Sequence, residues 1–451
     1  MSRACSGTTA LAALTVVAAA SQPRVARAAA ASGASDTTLT VVFVLVLVAG
    51  AYLLTHYVVE RLQRAFLVVT GVEYMVLGLL LGDQMPYALP AFQDLEALFP
   101  VIALAVGWVG LLRGMELDLR RVRGAAPTGA TRVAAFQGVV SGGMIAAAAY
   151  AVFSSGRLFP VGTGEGQVGT DQVLICSAFL GCVAAAGSVE PIELLRTRYR
   201  LTQEMGERIR RMAVLSDLFA IVTFGLLFCV FRGDRGAADA LRPAEWALVT
   251  VLLGAGLGLL FTPFLGKDDS ESGRFLALVG IITLANGAAY FLSLSPLLVN
   301  LCLGAVLVNG SRAGRSIRAT LDGTKRPMAL VLLVCAGALV GDETPWPWLP
   351  YLAVGYVLLR YIGKVVGTRL AAYRGELRPD YYRGLMSHGT VSVAMAVSFQ
   401  LVYDGPAVDL AYATVLVSVV VNDLFAPRLL RGLLVDSGDL RGEAEARPSR
   451  G

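Results

Sequence analysis

One carboxylate stands inside an apolar run long enough to cross a membrane. The stretch 204–231, EMGERIRRMAVLSDLFAIVTFGLLFCVF, opens as a basic amphipathic lead-in and continues as an apolar run around Asp217. A charge at the centre of a spanning helix costs roughly 2.5–3.5 kcal/mol even on lenient insertion scales, so such residues are retained for ions or protons. A carboxylate is a hard oxygen ligand for sodium or potassium, and it also accepts a proton. Ser216 adds a hydroxyl beside it. The plainer reading is a carboxylate snorkelling near the helix end, close to Arg210 and Arg211. The apolar flanks 212–215 and 218–228 argue against that.

Two other stretches carry backbone chemistry. Residues 184–191 read AAAGSVEP, where Gly187 loosens an apolar run and Pro191 removes a donor. Ser387-His388-Gly389-Thr390 opens another apolar run. Interrupted spanning helices expose carbonyls and amides that can complete an oxygen shell or hold charge. Ser188 lies in the first break, and Glu190 either enters a site there or caps the break. His388, one of only two histidines, is either a pH sensor or a packing residue. Arg360 and Lys364 fall four apart in one apolar run, hence on one helix face. They are either buried charge compensators or a pair snorkelling to the headgroups. Lys364 is expected to point inward toward Asp217, with Arg360 nearer an interface. Glu73 is an additional candidate ligand, with a structural role as the alternative.

The elements that must position these residues follow from composition. Mean hydropathy is +0.65, with 56% hydrophobic and 16% charged residues, which excludes a soluble globular protein. Apolar runs of spanning length fall at 39–59, 65–82, 97–113, 133–153, 171–195, 211–231, 244–263, 274–292, 296–309, 327–341, 348–370, 384–401 and 408–432. The fold class is therefore an all-α polytopic membrane protein of about thirteen spans. With the mature N-terminus outside, the basic loops 113–132, 196–211, 267–274, 312–326 and 374–383 all lie in the cytoplasm. The opposite loops 82–96, 341–348 and 402–409 contain no Lys or Arg. The two interrupted runs are seven spans apart, an odd offset, so they cross the membrane in opposite senses as in an inverted repeat.

At the N-terminus, Arg3, the apolar run 10–20 and Ala26-Arg27-Ala28 read as a signal peptide over 1–28, with an organellar transit peptide as the alternative. The six cysteines show neither metal-ligand spacing nor a disulfide framework. The net charge of +5 sits in short loops and does not indicate nucleic acid. The polar tail 435–451 is too short for a soluble regulatory domain and is expected to be a disordered cytoplasmic segment.

Several stretches resemble the monovalent cation/proton antiporter superfamily, of the sodium/hydrogen exchanger type. They are LGLLLGD followed by GMELDLRRVR, AVLSDLFAIVT, LSPLLVNLCLGAVLVN, YVLLRYIGKVVGTRL and VLVSVVVNDLFAPRLL, in that order over roughly 65–432. The resemblance implies that Asp217 alternately holds a proton or a cation, that Ser216 and Ser188 flank it, and that Lys364 compensates charge. It also implies two crossing broken helices and a transmembrane domain over 39–432. A core of 133–231 and 348–432 would move against a scaffold that forms a homodimer.

The implied activity is exchange of sodium or potassium for protons. One carboxylate makes it electroneutral, no cofactor is needed, and the setting is the lipid of a bacterial inner membrane. Two departures are plain: the first crossover reads Gly-Ser-Val-Glu-Pro, and Asp217 has no acidic neighbour. The alternatives are a transport-inactive sensor, a passive channel, or a sodium-coupled organic-anion symporter on the same scaffold. An enzyme is not expected, because no Gly-x-Ser-x-Gly, His-Glu-x-x-His or paired catalytic aspartate occurs in a spanning run.

Overall fold

The computed structural model describes residues 71–82, 95–118, 128–160, 162, 168–198, 203–231, 241–265, 271–310, 314–341, 344–373 and 377–438. The expected signal peptide and the first span, 39–59, lie outside them. The described residues form α1 (Val72–Leu81), α2 (Leu95–Gly114), α3 (Thr128–Phe153), α4 (Thr170–Ala185), α5 (Glu190–Arg198), α6 (Gln203–Val230), α7 (Pro243–Leu265) and α8 (Glu271–Phe291). After these come α9 (Pro296–Gly310), α10 (Gly314–Ala338), α11 (Leu349–Ala372), a 3-10 turn (Pro379–Gly384), α12 (Thr390–Gln400) and α13 (Pro406–Asp436). Seven of the helices among the described residues are long and apolar enough to cross a membrane.

Both expected interruptions are present. The run 171–195 becomes α4 and α5 with four non-helical residues between them, Ala186 to Val189. The run 384–401 differs from expectation at its start. Residues 385–389 are not helical, α12 begins only at Thr390, and a 3-10 turn precedes it. Pro379 at the head of that turn and the Gly384 and Gly389 pair disfavour a regular helix there.

Further boundaries shift: α3 begins at Thr128 and α6 at Gln203, each inside an expected basic loop. The basic loop expected at 312–326 is mostly the first half of α10, because Ile317 and Leu321, four apart, are both fully buried. The helix α13 runs to Asp436, two residues into the expected tail.

Packing separates two groups. In the first, α3 lies against α4, α6 and α11, and α13 packs on α11, α12 and α4. This is a core of two three-part units, 128–230 and 349–436, each running helix, interrupted segment, helix. In the second, α9 is held between α2 and α7, and α10 packs along α1. This group is the scaffold.

Helix α2 shows both faces of the arrangement. Ile102, Ala105, Val106 and Val109, at i, i+3, i+4 and i+7, join the main apolar cluster that the core helices build. Trp108, Leu111 and Met115, on the other face, join a separate cluster with α8, α9 and α10. Scaffold helices expose apolar side chains around the outside, Leu248, Leu252 and Leu259 on α7 and Leu276 and Leu284 on α8. Such a belt suits lipid and not water.

Small residues set the closest approaches. A Cβ on Gly363 would lie 2.7 Å from the Cα of Ser141, and one on Gly367 would lie 2.5 Å from the Cα of Gln137. Bare glycines therefore let α11 press backbone to backbone on α3, which brings Lys364, between them, against Gln137.

Candidate functional site

Asp217 extends the buried stripe of α6 that also contains Ala213, Ala220, Ile221 and Phe224. Its side chain is 0% exposed. The snorkelling reading fails on that observation. Its Oδ1 accepts the backbone N–H of Gly187 at 3.2 Å, so the first interruption is pinned directly to the carboxylate. Its Oδ2 has no hydrogen-bond partner, but faces Nε of Arg113 at 3.2 Å in an ion pair.

Arg113 is the largest departure from the sequence reading, which took it as the first residue of a cytoplasmic loop. It lies in the last turn of α2, 3% exposed, four residues after Val109 on the stripe that faces the core. The same guanidinium reaches Glu116 at 3.3 Å and Glu190 at 4.0 Å.

Ser216 is tied into a buried polar chain. Its hydroxyl donates to the Met212 carbonyl at 2.9 Å and accepts from Gln137 Nε2 at 2.8 Å. Gln137 also donates to the Ala185 carbonyl at 3.1 Å and accepts from Lys364 Nζ at 2.8 Å. Lys364 donates a second bond to the Ala186 carbonyl at 2.9 Å. It therefore points into the core and reaches the segment that holds Asp217, without touching the carboxylate itself. Gln137 was not singled out in the sequence, although a lone amide near the start of an apolar run was its available signal.

Arg360 corrects the expectation that it lies nearer an interface. It is 0% exposed. Its guanidinium donates to the carbonyls of Ala184, in the last turn of α4, at 3.3 Å and of Ala186, in the interruption that follows, at 2.9 Å. It also donates to the Met386 carbonyl and to that of Ser387 at 3.3 Å in the other. A helix that stops inside a protein leaves carbonyls without partners. The planar five-donor fork of an arginine can satisfy several at once, which an ammonium cannot do with that spread.

The two interruptions also meet at Glu190. Its Oε1 accepts the N–H of Thr390 at 3.2 Å and the Thr390 hydroxyl at 2.7 Å, so the carboxylate of one break caps the helix that follows the other. The Ser188 hydroxyl donates to Glu190 Oε2 at 2.9 Å instead of turning to Asp217.

His388 is fully buried, bonds through Nδ1 to the Ser392 hydroxyl at 2.8 Å, and stacks on Tyr356. Glu73 stays at the start of α1, where it accepts the Gly71 N–H at 3.2 Å. Neither is brought to Asp217.

A second buried carboxylate, Asp423 on α13, accepts from the Ser387 hydroxyl at 3.2 Å. It shares with Asp217 the signal of an acid inside an apolar run, and the sequence reading passed over it. A cavity of about 770 Å³ opens beside these groups, lined by Arg113, Glu116, Glu190, Thr390 and Asp423, with Arg210, Lys325 and Arg326 also on its wall. Asp217 is not on that wall; Arg113 stands between it and the open space.

The transmembrane model of the sodium/hydrogen exchanger family matches residues 72–432, four-fifths of the chain and the whole of this site. The chain belongs to the sodium/hydrogen exchanger family. It is an integral membrane cation/proton antiporter, and its family and structural neighbours are transporters, not enzymes.

No curated protein matches the chain by sequence. Among solved structures it is similar to the sodium proton antiporter MjNhaP1 from Methanocaldococcus jannaschii at pH 8. That match has 14% identity and a TM-score of 0.56, and covers 88% of this chain and 97% of that one. A second structure of the same protein, an electron-microscopy map, matches at 16% identity and a TM-score of 0.53, covering 90% and 99%. At such identities the likeness shows the fold: an all-α bundle with crossed, interrupted helices in two inverted units.

Proposed function

We propose that the exchange runs through Asp217, which binds either one proton or one sodium or potassium ion. The observation that carries this is a fully buried carboxylate held by the Gly187 N–H of the first interruption, whose other oxygen makes no hydrogen bond and faces only the Arg113 guanidinium. A hard monovalent cation requires several oxygens. Oδ2, carbonyls of the interrupted segment and the hydroxyl of the adjacent Ser216 are the candidate oxygens.

Lys364 and Arg360 compensate the carbonyl ends of the interrupted segments, so that the carboxylate's own charge changes with its cargo. Competition of two cargoes for one site couples their gradients without simultaneous binding. The exchange is then one for one and electroneutral. Asp423, Glu190 and Glu116 line the adjoining cavity, and any other ratio would need a second acid of this kind to carry a proton.

The cavity wall carries Arg210, Lys325 and Arg326, residues of the basic segments assigned to the cytoplasm by loop charge. The access it provides is therefore cytoplasmic, in a bacterial inner membrane with the N-terminus outside and the C-terminus inside. The core of α3–α6 and α11–α13 moves against a scaffold that forms the homodimer contact. One specific feature favours a transport-inactive reading instead: Arg113 already neutralises Asp217.

Proteoliposomes with imposed sodium, potassium and proton gradients test both readings. Cation-dependent proton movement in both directions is expected. Apparent cation affinity should rise with pH while the proton competes, then level off once Asp217 is ionised. Asp217→Asn should abolish exchange in a folded protein, since a neutral amide is cheaper to bury than a carboxylate. Persistent exchange in that variant, or exchange by the unaltered chain that follows voltage at zero pH gradient, would refute the mechanism.

A further inference from the structure

The Arg113–Asp217 pair joins two different bodies. Asp217 belongs to the core. Helix α2, which carries Arg113, is locked to the scaffold by backbone contact. A Cβ on Gly110 would lie 2.6 Å from the Leu297 carbonyl oxygen of α9, and one on Gly304 of α9 would lie 2.5 Å from the carbonyl oxygen of Leu111. The pair is also a loose one: the ion-pair distance is 3.2 Å, yet Oδ2 of Asp217 lacks a hydrogen bond. Arg113, and not Asp217, lines the cavity, so a cation coming from that side meets the guanidinium first. If it is displaced, Glu116, three residues on and beside the cavity, stands at 3.3 Å to receive it. Displacement therefore does not leave a buried cation without a counter-charge.

We propose that Arg113 is a chain-borne cation that occupies Asp217 whenever no cargo does, and that this contact ties the unloaded core to the scaffold. This rests on antiport at Asp217. An exchanger must forbid movement of its empty carrier, because an empty return converts exchange into leak. Here the empty carboxylate attracts a guanidinium fixed to the other body, and the core is held. Cargo on Asp217 cancels the attraction, Arg113 swings to Glu116 at the end of its own helix, and the core is free to move. Arg113 thus acts as a competitor for the cation and as a coupling device. Lys364 does not duplicate it, because Lys364 sits within the core and is spent on Gln137 and the Ala186 carbonyl.

The test uses the full chain in proteoliposomes with sodium and with potassium as probes, comparing the unaltered protein, Arg113→Gln, Arg113→Lys and Asp217→Asn. In Arg113→Gln the KM for the transported cation should fall on the order of tenfold, as the loss of a buried competing charge predicts. Voltage-driven cation uptake at zero pH gradient should appear, absent from the unaltered protein. Arg113→Lys should return both readouts toward the unaltered values. A merely structural arginine would lower the maximal rate without creating a leak. An Arg113→Gln protein with unchanged KM and no leak, beside an inactive Asp217→Asn, overturns the latch and spares the antiport reading. An Asp217→Asn that still exchanges overturns the antiport reading itself.

Should Arg113→Gln not fold, the unaltered chain supplies the decision. Sodium or potassium chloride, against choline chloride of equal ionic strength, should raise amide hydrogen exchange several-fold at 110–118. No change with either cation overturns the proposal.

Discussion

Arg360 donates to carbonyls from both interruptions, more acceptors than any other side chain in the site reaches. Removing it orphans several buried carbonyls at once, and each costs about 1–3 kcal/mol when left without a partner. Lys364 supports one carbonyl and one amide. Arg360→Ala is therefore expected to lower stability by roughly 3 kcal/mol or more, and by more than Lys364→Ala does. An Arg360 nearer an interface, as the sequence suggested, would give the opposite order. Arg360→Lys should recover little, since an ammonium cannot span both segments. Thermal unfolding of the detergent-solubilised variants measures all three, and equal, negligible losses would mean that the carbonyls find other partners.

The two interruptions work as one element because they are fastened to each other. Gly389 has an extended backbone, φ −129°, that any residue adopts, so its role is one of space. A Cβ there would lie 2.6 Å from Ser188 Oγ and 2.8 Å from Glu190 Oε2. Gly389→Ala is expected to push the segments apart and loosen the Glu190 cap on α12. Loss of such a cap costs about 0.5–2 kcal/mol. It should also raise hydrogen exchange at 389–393 and reduce transport. A Gly389→Ala protein with native exchange protection and full transport would show that the segments do not depend on this contact.

At the scale of the whole molecule, the separation into core and scaffold decides which contacts must break during a transport cycle. In the proposed cycle, those inside the core travel with Asp217, and those from α2 do not. The charge asymmetry of the loops predicts the sides. Cysteine substitutions at Gly310 and Asp404 should be labelled from the inside and the outside respectively, because an odd number of spans separates them; labelling from one side only would break the span count. The span 39–59 lies outside the described residues, and the same labelling, extended to a position near residue 36, decides whether it is present in the mature chain.

Spans, the odd offset between breaks and the single acid in the run around Asp217 were legible in the sequence. Each is a local pattern of apolar length, charge or a helix-breaking residue, and such patterns are written in consecutive residues. Apolar length also placed the helices but not all their ends: α3, α6 and α10 begin inside expected basic loops, α12 begins late, and α13 runs on past its apolar run. Pairings across the bundle were not legible. Arg113 looked like loop charge because it ends an apolar run; only the packing of α2 against α9 and its shared stripe with Val109 turn it onto Asp217. Arg360 and Lys364 had one helical face by spacing, yet their depth depended on Gly363 and Gly367 letting α11 close on α3. Ser188 stood beside the break, but Glu190 took its hydroxyl once α12 arrived to be capped. Which partner a buried polar group takes is set by what the other helices bring within about 3 Å, and that is decided by the tertiary structure alone.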